Sequence, residues 1–377
     1  MMTSELLQAL AQDLDVHAIP PLLGNDATPP ELRERIVRAR AALGSRVLIL
    51  GHHYQRDDVI AFADRRGDSL DLSISAAQTR DVEFVVFCGV HFMAETADIL
   101  TPAECSVILP DMRAGCSMAD MAAADQVEDC WETLADAAPG ARIVPITYIN
   151  STAALKAFCG RHDGAVCTSS NAAQIVGRAL EQGDKLLFFP DQHLGRNTCA
   201  ALGIALDDMV VYDPHQPNGG HDGDTWRRAR VILWRGHCSV HMNFKPSHVD
   251  IWRQRRPDIR VIVHPECTHE VVLKADASGS TKQILETVSR AEPGSAWAVG
   301  TEHHMVNRLR AENPDKFVTA LTPYACQCST MYRISPEALA KALEALAAGE
   351  PINIVKVDED TARWATVALE RMLEARV

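Results

Sequence analysis

The chain has 377 residues, which at about 150 residues per domain makes two or three domains. Hydrophobic residues make up 47% and charged residues 23%, ordinary globular usage that excludes a disordered chain. The 37 basic against 50 acidic residues leave a net charge of -13 without any Lys/Arg-rich tract, which argues against nucleic acid or an anionic membrane as the main partner.

Residues 1–45 read as a helical, peripheral extension, because SELLQALAQDL and ELRERIVRARAAL have helical spacing on either side of the Pro-rich IPPLLGNDATPP. The opening MMTSELLQALAQDLDV is acidic and amphipathic and lacks a basic n-region before an apolar run, so no secretory signal is expected. No stretch approaches a membrane span, and a cytoplasmic location is expected. The 11 cysteines of a long chain of this kind point to free thiols or metal ligands, not to a disulfide framework.

From residue 46 onward, short Val/Ile-rich runs end in Gly, Pro or small polar residues and lead into helical patterns. This is the alternation of an α/β protein with mostly parallel sheet. A degenerate threefold repeat runs through it. The first run of each unit ends in a polar cluster: RVLILGHHYQ (46–55), RIVPITYINS (142–151) and IRVIVHPECT (259–268). The second runs are FVVFCGVHFMAE (84–95), AVCTSSNAAQIV (165–176) and AWAVGTEHHMV (296–306). A third run ends at cysteine, in SVILPDMRAGC at Cys116, VILWRGHC at Cys238 and FVTALTPYACQC at Cys328. The middle unit is the longest, and its surplus is assigned to KLLFFPDQHLG (185–195) and the polar loop YDPHQPNGGHDGD (212–224). Three α/β domains are expected, at 46–138, 139–247 and 248–340, followed by a helical tail at 341–377. In open α/β sheets ligands bind beyond the carboxyl ends of the strands, which is where these polar clusters fall.

Several strand ends lead into helices that open on small polar residues: Ser69 in GDSLDLS, Tyr148 and Asn150 in YINSTAA, Ser169 and Asn171 in CTSSNAA, Ser280 and Thr281 in SGSTKQI. Such residues cap free backbone N–H groups, and the same arrangement holds a phosphate or carboxylate. Taken singly each reads as a cap; several aimed into one cleft would favour an anionic ligand. The titratable groups at the first strand ends are His52, His53 and Tyr54, and His264, Glu266 and His269. A histidine beside a carboxylate is an acid/base pair, or else a set of strand-end groups satisfying the backbone. HPECTHE lacks the His-Glu-x-x-His of zinc proteases, and no Walker A loop, GxGxxG fingerprint or GxSxG elbow occurs.

The cysteines form neither paired CxxC knuckles nor CxxxCxxC, so a zinc ribbon and the usual radical-SAM arrangement lose support. Single cysteines at equivalent strand ends of three lobes could instead hold an iron-sulfur cluster with one iron left without a protein ligand, a Lewis acid for substrate oxygen or nitrogen. The competing reading is that free cysteines are small buried apolar residues, and it is the one given to Cys88, Cys105, Cys130, Cys159, Cys167 and Cys199.

Over roughly residues 46–335 the segments GHHYQRDDVIAFADRRGDSLDLS, GVHFMAETADIL, PDMRAGCSMADM, ITYINSTAALKA, CTSSNA, PDQHLGRNT, RGHCSVH, HPEC, SGSTKQI, GTEHHMVNRL and CSTMYRI together resemble the quinolinate synthase family, the A proteins of de novo NAD biosynthesis. The resemblance implies three similar α/β domains in a pseudo-threefold arrangement around a central iron-sulfur cluster site, each giving one cysteine to a 4Fe-4S cluster. It implies a transferase-type condensation of iminoaspartate with dihydroxyacetone phosphate to quinolinate, releasing phosphate and two waters. The implied cluster ligands are Cys116, Cys238 and Cys328; Cys326 competes for the last place, and Cys328 is preferred because it directly precedes STMYRI. The implied substrate-binding positions are His52, Tyr54, Ser69, Tyr148, Asn150, Ser169, His241, His264, Glu266, Ser280 and Thr281, of which Tyr54, His264 and Glu266 form the acid/base set. His53 stands where many relatives have Asn. The substrates are anions, so local donors must overcome an acidic protein. Ser169, Ser280 and Thr281 are assigned to phosphate and later to a product carboxylate, and His52, Ser69, Tyr148 and Asn150 to the other carboxylate. A transient contact with L-aspartate oxidase would suit an unstable imine, although no segment shows one. Two other readings of the chain are an iron-sulfur sensor and a metal-free aldolase with a Schiff-base lysine at Lys274 or Lys282.

Overall fold

The structure is a computed structural model and describes residues 28–375. The apolar runs form three sheets. In the first, β1 (Val47–His52), β2 (Arg65–Gly67), β3 (Phe84–Cys88) and β4 (Ser106–Ile108) are joined by the distant β14 (Ile354–Val355), in the order β14-β4-β3-β1-β2. The second holds β5 (Ile143–Tyr148), β6 (Ala165–Cys167), β7 (Lys185–Phe189), β8 (Met209–Tyr212) and β9 (Val231–Trp234), in the order β6-β5-β7-β9-β8. The third holds β10 (Arg260–Val263), β11 (Ala277–Ser278), β12 (Ala296–Gly300) and β13 (Phe317–Ala320), in the order β11-β10-β12-β13. Among these strands the pairing is parallel throughout except for β14 against β4. Parallel strands are covered on both faces, so they need unbroken apolar runs. KLLFF of β7 and AWAVG of β12 are buried at every residue.

With β8 set aside, each unit places its second strand on one side of the first and its third and then its last strand on the other, and this shared order is the threefold repeat. It also corrects one equivalence. The counterpart of β3 and β12 in the middle unit is β7, so KLLFFPDQHLG is a central strand of the repeat and not surplus. AVCTSSNAAQIV holds β6, which corresponds to β2 and β11. The surplus of the middle unit is β8 with the loop after it. The slip has a physical cause: β2 is the exposed RRG and β11 the two-residue AS, neither with an apolar signature to align on.

Side-chain alternation divides the third sheet's packing between two faces. Val261, Val263 and Ala298 join a cluster with Phe244 and Trp252, while Ile262, Trp297 and Val299 join one with Ile284 and Leu309. The flanking helices are part of the same body. Helix Pro30–Leu43 buries Leu32, Ile36, Ala39 and Leu43 along one stripe and packs on helix Pro336–Ala347. Helix Glu359–Glu374 packs on helix Ala153–Arg161 of the second unit so closely that a Cβ on Gly160 would lie 2.0 Å from the carbonyl oxygen of Trp364. The remainder of the expected N-terminal extension, residues 1–27, lies outside the described residues. Among these, no helix is long and apolar enough to cross a membrane.

Candidate functional site

Because the strands of each sheet, β14 apart, run in parallel, their carboxyl ends face one way, and the three units direct them toward one cavity. Its empty space, with the open solvent at its mouth included, is about 660 Å³. Cys116, Cys238 and Cys328 line it together with His52, Tyr54, Ser69, Tyr148, Asn150, Ser169, His264, Glu266 and Thr281. The first-strand loops of all three units contribute: His52 ends β1, Tyr148 ends β5, and His264 follows β10. His241 and Ser280, also expected at the site, lie behind this surface. His241 is fully buried beneath Glu266, and Ser280 is the N-cap of helix Thr281–Ser289, where its hydroxyl accepts from Gln283 N at 3.3 Å.

The three thiols sit in matching turns. Each cysteine carbonyl accepts a hydrogen bond from the residue four positions on, Asp120, Met242 and Tyr332, at 3.0–3.1 Å. The residue three positions on, Ala119, His241 or Met331, opens a short 3-10 helix whose backbone N–H points at the sulfur. Burial pushes the Cys116 thiol up to about 12 and raises those of Cys238 and Cys328, while the turn N–H groups favour the thiolate. Half-buried cysteines with N–H groups already aimed at their sulfurs, from three lobes at one cavity, make a donor set that fits a thiolate-bound metal centre. Cys238 Sγ, His241 and Glu266 also bring ligand-type atoms within 4.8 Å of one another. Cys326, by contrast, is buried in the third unit's core with Cys267 and does not line the cavity.

A polar cluster adjoins the thiols at Cys238. Glu266 Oε2 lies 2.7 Å from His241 Nδ1 and 3.9 Å from His264 Nδ1, and the two imidazoles stack with centroids 4.6 Å apart. Burial opposes ionisation of Glu266, but His264 and His241 beside it and the neighbouring Tyr148 hydroxyl hold its carboxyl below the usual carboxylate range. Burial lowers His52 and His264 to about 3, so both are neutral imidazoles at pH 7. Burial and the Glu266 charge raise the phenols of Tyr54 and Tyr148 well above 10, which keeps both as hydrogen-bond donors. Tyr54 Oη is 2.7 Å from Thr301 Oγ1 and accepts from Thr281 Oγ1 at 3.2 Å, and Thr301 Oγ1 is 3.2 Å from His241 Nε2. Ser169 Oγ lies 3.3 Å from His264 Nε2, and Asn150 Oδ1 is buried without a protein partner.

Sequence reasoning missed Thr301, the hinge of this network, and Asp68 and Thr168 on the cavity wall. Thr301 carries the same signal as the residues that were found, a polar side chain directly after a buried strand. Asp68 is the N-cap of helix Ser69–Ala77 and also accepts from Ser170 Oγ at 2.9 Å, a bond between first and second units that a local motif cannot disclose. Lys274 and Lys282 pair with Asp250 and Asp71 and do not line the cavity.

A cavity at the carboxyl ends of three largely parallel sheets, walled by three thiols and a buried carboxylate, defines a three-unit α/β protein with a ligand site whose donor set suits a metal. The profile of the quinolinate synthetase A proteins matches residues 34–374. Proteins named quinolinate synthase match along nearly all of the chain. That of Acidobacterium capsulatum is 56% identical over 346 residues, covering 91% of this chain and 92% of its own. Those of Nocardioides sp. and Streptomyces coelicolor are 55% and 50% identical, covering 92% and 97% of this chain and 90% and 98% of their own. The chain belongs to the quinolinate synthase family.

Proposed function

We propose that the protein condenses iminoaspartate with dihydroxyacetone phosphate to quinolinate, releasing phosphate and two waters, as a step of NAD biosynthesis in the cytoplasm. The reading rests on one observation: three equivalent cysteine turns and the Glu266 cluster share one cavity. Cys116, Cys238 and Cys328 would hold a 4Fe-4S cluster, which when bound supplies a Lewis-acidic iron for a substrate oxygen or nitrogen.

The chain's own groups supply the rest. Both substrates are anionic, and Ser69, Ser169 and Thr281, at or near the starts of helices, offer hydroxyl and backbone donors to carboxylate and phosphate oxygens. Ser280 acts from behind, fixing the first turn of its helix through Gln283. The bare Asn150 Oδ1 is an acceptor for a substrate N–H or O–H. Glu266, ionised and shielded from water, is the base for carbon-bound protons, and His241 stands ready at 2.7 Å to stabilise its charge. The neutral His264 and the phenols of Tyr54 and Tyr148 donate to oxygens that gain charge as phosphate and water leave. His52 accepts the backbone N–H of Tyr54 at 3.1 Å and so fixes the turn that carries it. L-aspartate oxidase, as the source of an unstable imine, would deliver by transient contact.

The test is the iron and sulfide content of anaerobically purified protein together with quinolinate formation from the two substrates. Cys116→Ser, Cys238→Ser and Cys328→Ser are each expected to lose iron and activity while Cys326→Ser keeps both. A protein with a full iron complement that makes no quinolinate would overturn the activity. Loss of iron in Cys326→Ser in place of Cys328→Ser would move the third ligand.

A further inference from the structure

Each first-strand loop that walls the cavity is gripped by a helix of another lobe, always the helix that follows that lobe's third strand. From the second lobe, helix Gln192–Ala201 presents Asn197, only 7% exposed. Its Nδ2 donates to the carbonyl oxygens of Pro265 at 2.8 Å and Cys267 at 2.9 Å, the two residues flanking Glu266, and its Oδ1 is 2.8 Å from His269 Nδ1. From the third lobe, helix His303–Glu312 presents Arg308. Its guanidinium donates to the carbonyl oxygens of His53 and, at 2.9 Å, Gln55, the two residues flanking Tyr54, and pairs with Asp57. Asn197 and Arg308 are each the sixth residue of their helix. From the first lobe, one position earlier in helix His91–Leu100, Glu95 Oε2 accepts from Ala153 N at 3.0 Å, just past the Tyr148–Asn150 loop. The grips close a ring: first lobe on second, second on third, third on first.

We propose that Asn197 and Arg308 are positioning residues, which hold Glu266 and Tyr54 at their working positions by pinning the carbonyls on either side of each. A residue between two anchored peptide oxygens has its backbone orientation set from both sides, so its side chain is delivered into the cavity without touching the clamp. The clamps come from neighbouring lobes, so the register of one lobe on the next is read directly into the placement of a reacting group. Misplacement of such a group by about 1 Å costs about a hundredfold in rate. The inference rests on the activity proposed above.

The test uses cluster-loaded Asn197→Asp, which turns an oxygen toward the two carbonyls, and Arg308→Ala, with Arg308→Lys as the conservative partner that keeps the charge and loses the fork. Iron content, melting temperature, kcat and KM, and backbone hydrogen exchange over 52–57 and 264–270 are measured for each beside the parent. We expect full iron, a near-parental melting temperature, kcat lower by about a hundredfold with KM within a few-fold, partial recovery in Arg308→Lys, and faster exchange confined to the loop that each residue grips. Parental kcat at full iron overturns the proposal, and so does a loss of kcat that only tracks a loss of iron or of melting temperature. If Asn197→Asp does not fold, the two Arg308 variants decide. A parent that makes no quinolinate overturns the activity instead, and the exchange data then judge the clamps alone: parental exchange in both loops would overturn them too.

Discussion

Glu266 combines full burial with a carboxyl kept ionised, an expensive state held by the side chains that donate to it. Glu266→Gln removes the charge and keeps the shape, so the cluster-loaded variant is expected to keep its iron and to lose turnover by about a hundredfold or more, read by steady-state quinolinate formation. His52 and His264 carry the opposite bias. Burial holds both near 3 in the folded protein against 6.5 when unfolded, so between those values the unfolded chain takes up protons that the folded one refuses. Their contribution is therefore whole above about pH 6.5 and drains as pH falls toward 3. The melting temperature is expected to drop between pH 7 and pH 5, and less steeply in His52→Gln, which has no such proton to take up; equal slopes would remove His52 from the account. Placement at the cavity was legible in the sequence for side chains at a strand end, as with Glu266 and the three cysteines. For Thr301 the strand-end position was legible but the role was not, because its partners Tyr54 and His241 come from other units.

The elements that sequence periodicity marks best are those with a buried face. Helix Pro30–Leu43 was expected from its spacing, and the structure gives that spacing a purpose, since its stripe is covered by helix Pro336–Ala347. Ile36, fully buried in that stripe, tests whether the helix belongs to the folded body: Ile36→Ala should cost about 2–5 kcal/mol in denaturant unfolding, and a cost near zero would mark the helix as an accessory. Elements whose role depends on pairing alone were harder to see. β2 and β11 form because a neighbouring first strand offers a ladder, not because RRG or AS prefers to be extended. Their weak signal let the strong apolar KLLFF pass for an insertion. The three cysteines were visible as the ends of each unit's third run, but the N–H groups aimed at each sulfur depend on backbone geometry that no residue type announces.

At the scale of the molecule, the tail binds two units together. β14 pairs with β4 of the first sheet, through Ile354 opposite Ile108, and the helix that follows lies on the second unit at Gly160. Gly160→Ala would drive a methyl group into the carbonyl of Trp364, and separating the helices should lower stability by about 1–3 kcal/mol or more while leaving the cavity lining intact. Thermal unfolding with the cluster in place checks this; an unchanged melting temperature would show that the tail shifts without cost. The pairing of β14 also orders the birth of the protein. Domains emerging from the ribosome tend to fold in turn from the amino end, yet the outer rail of the first sheet, Ile354–Val355, is encoded after the strands of the other two sheets. The first sheet is thus finished only after the second and third have been made, and until β14 emerges β4 presents an unpaired row of peptide groups that nascent neighbours could adopt.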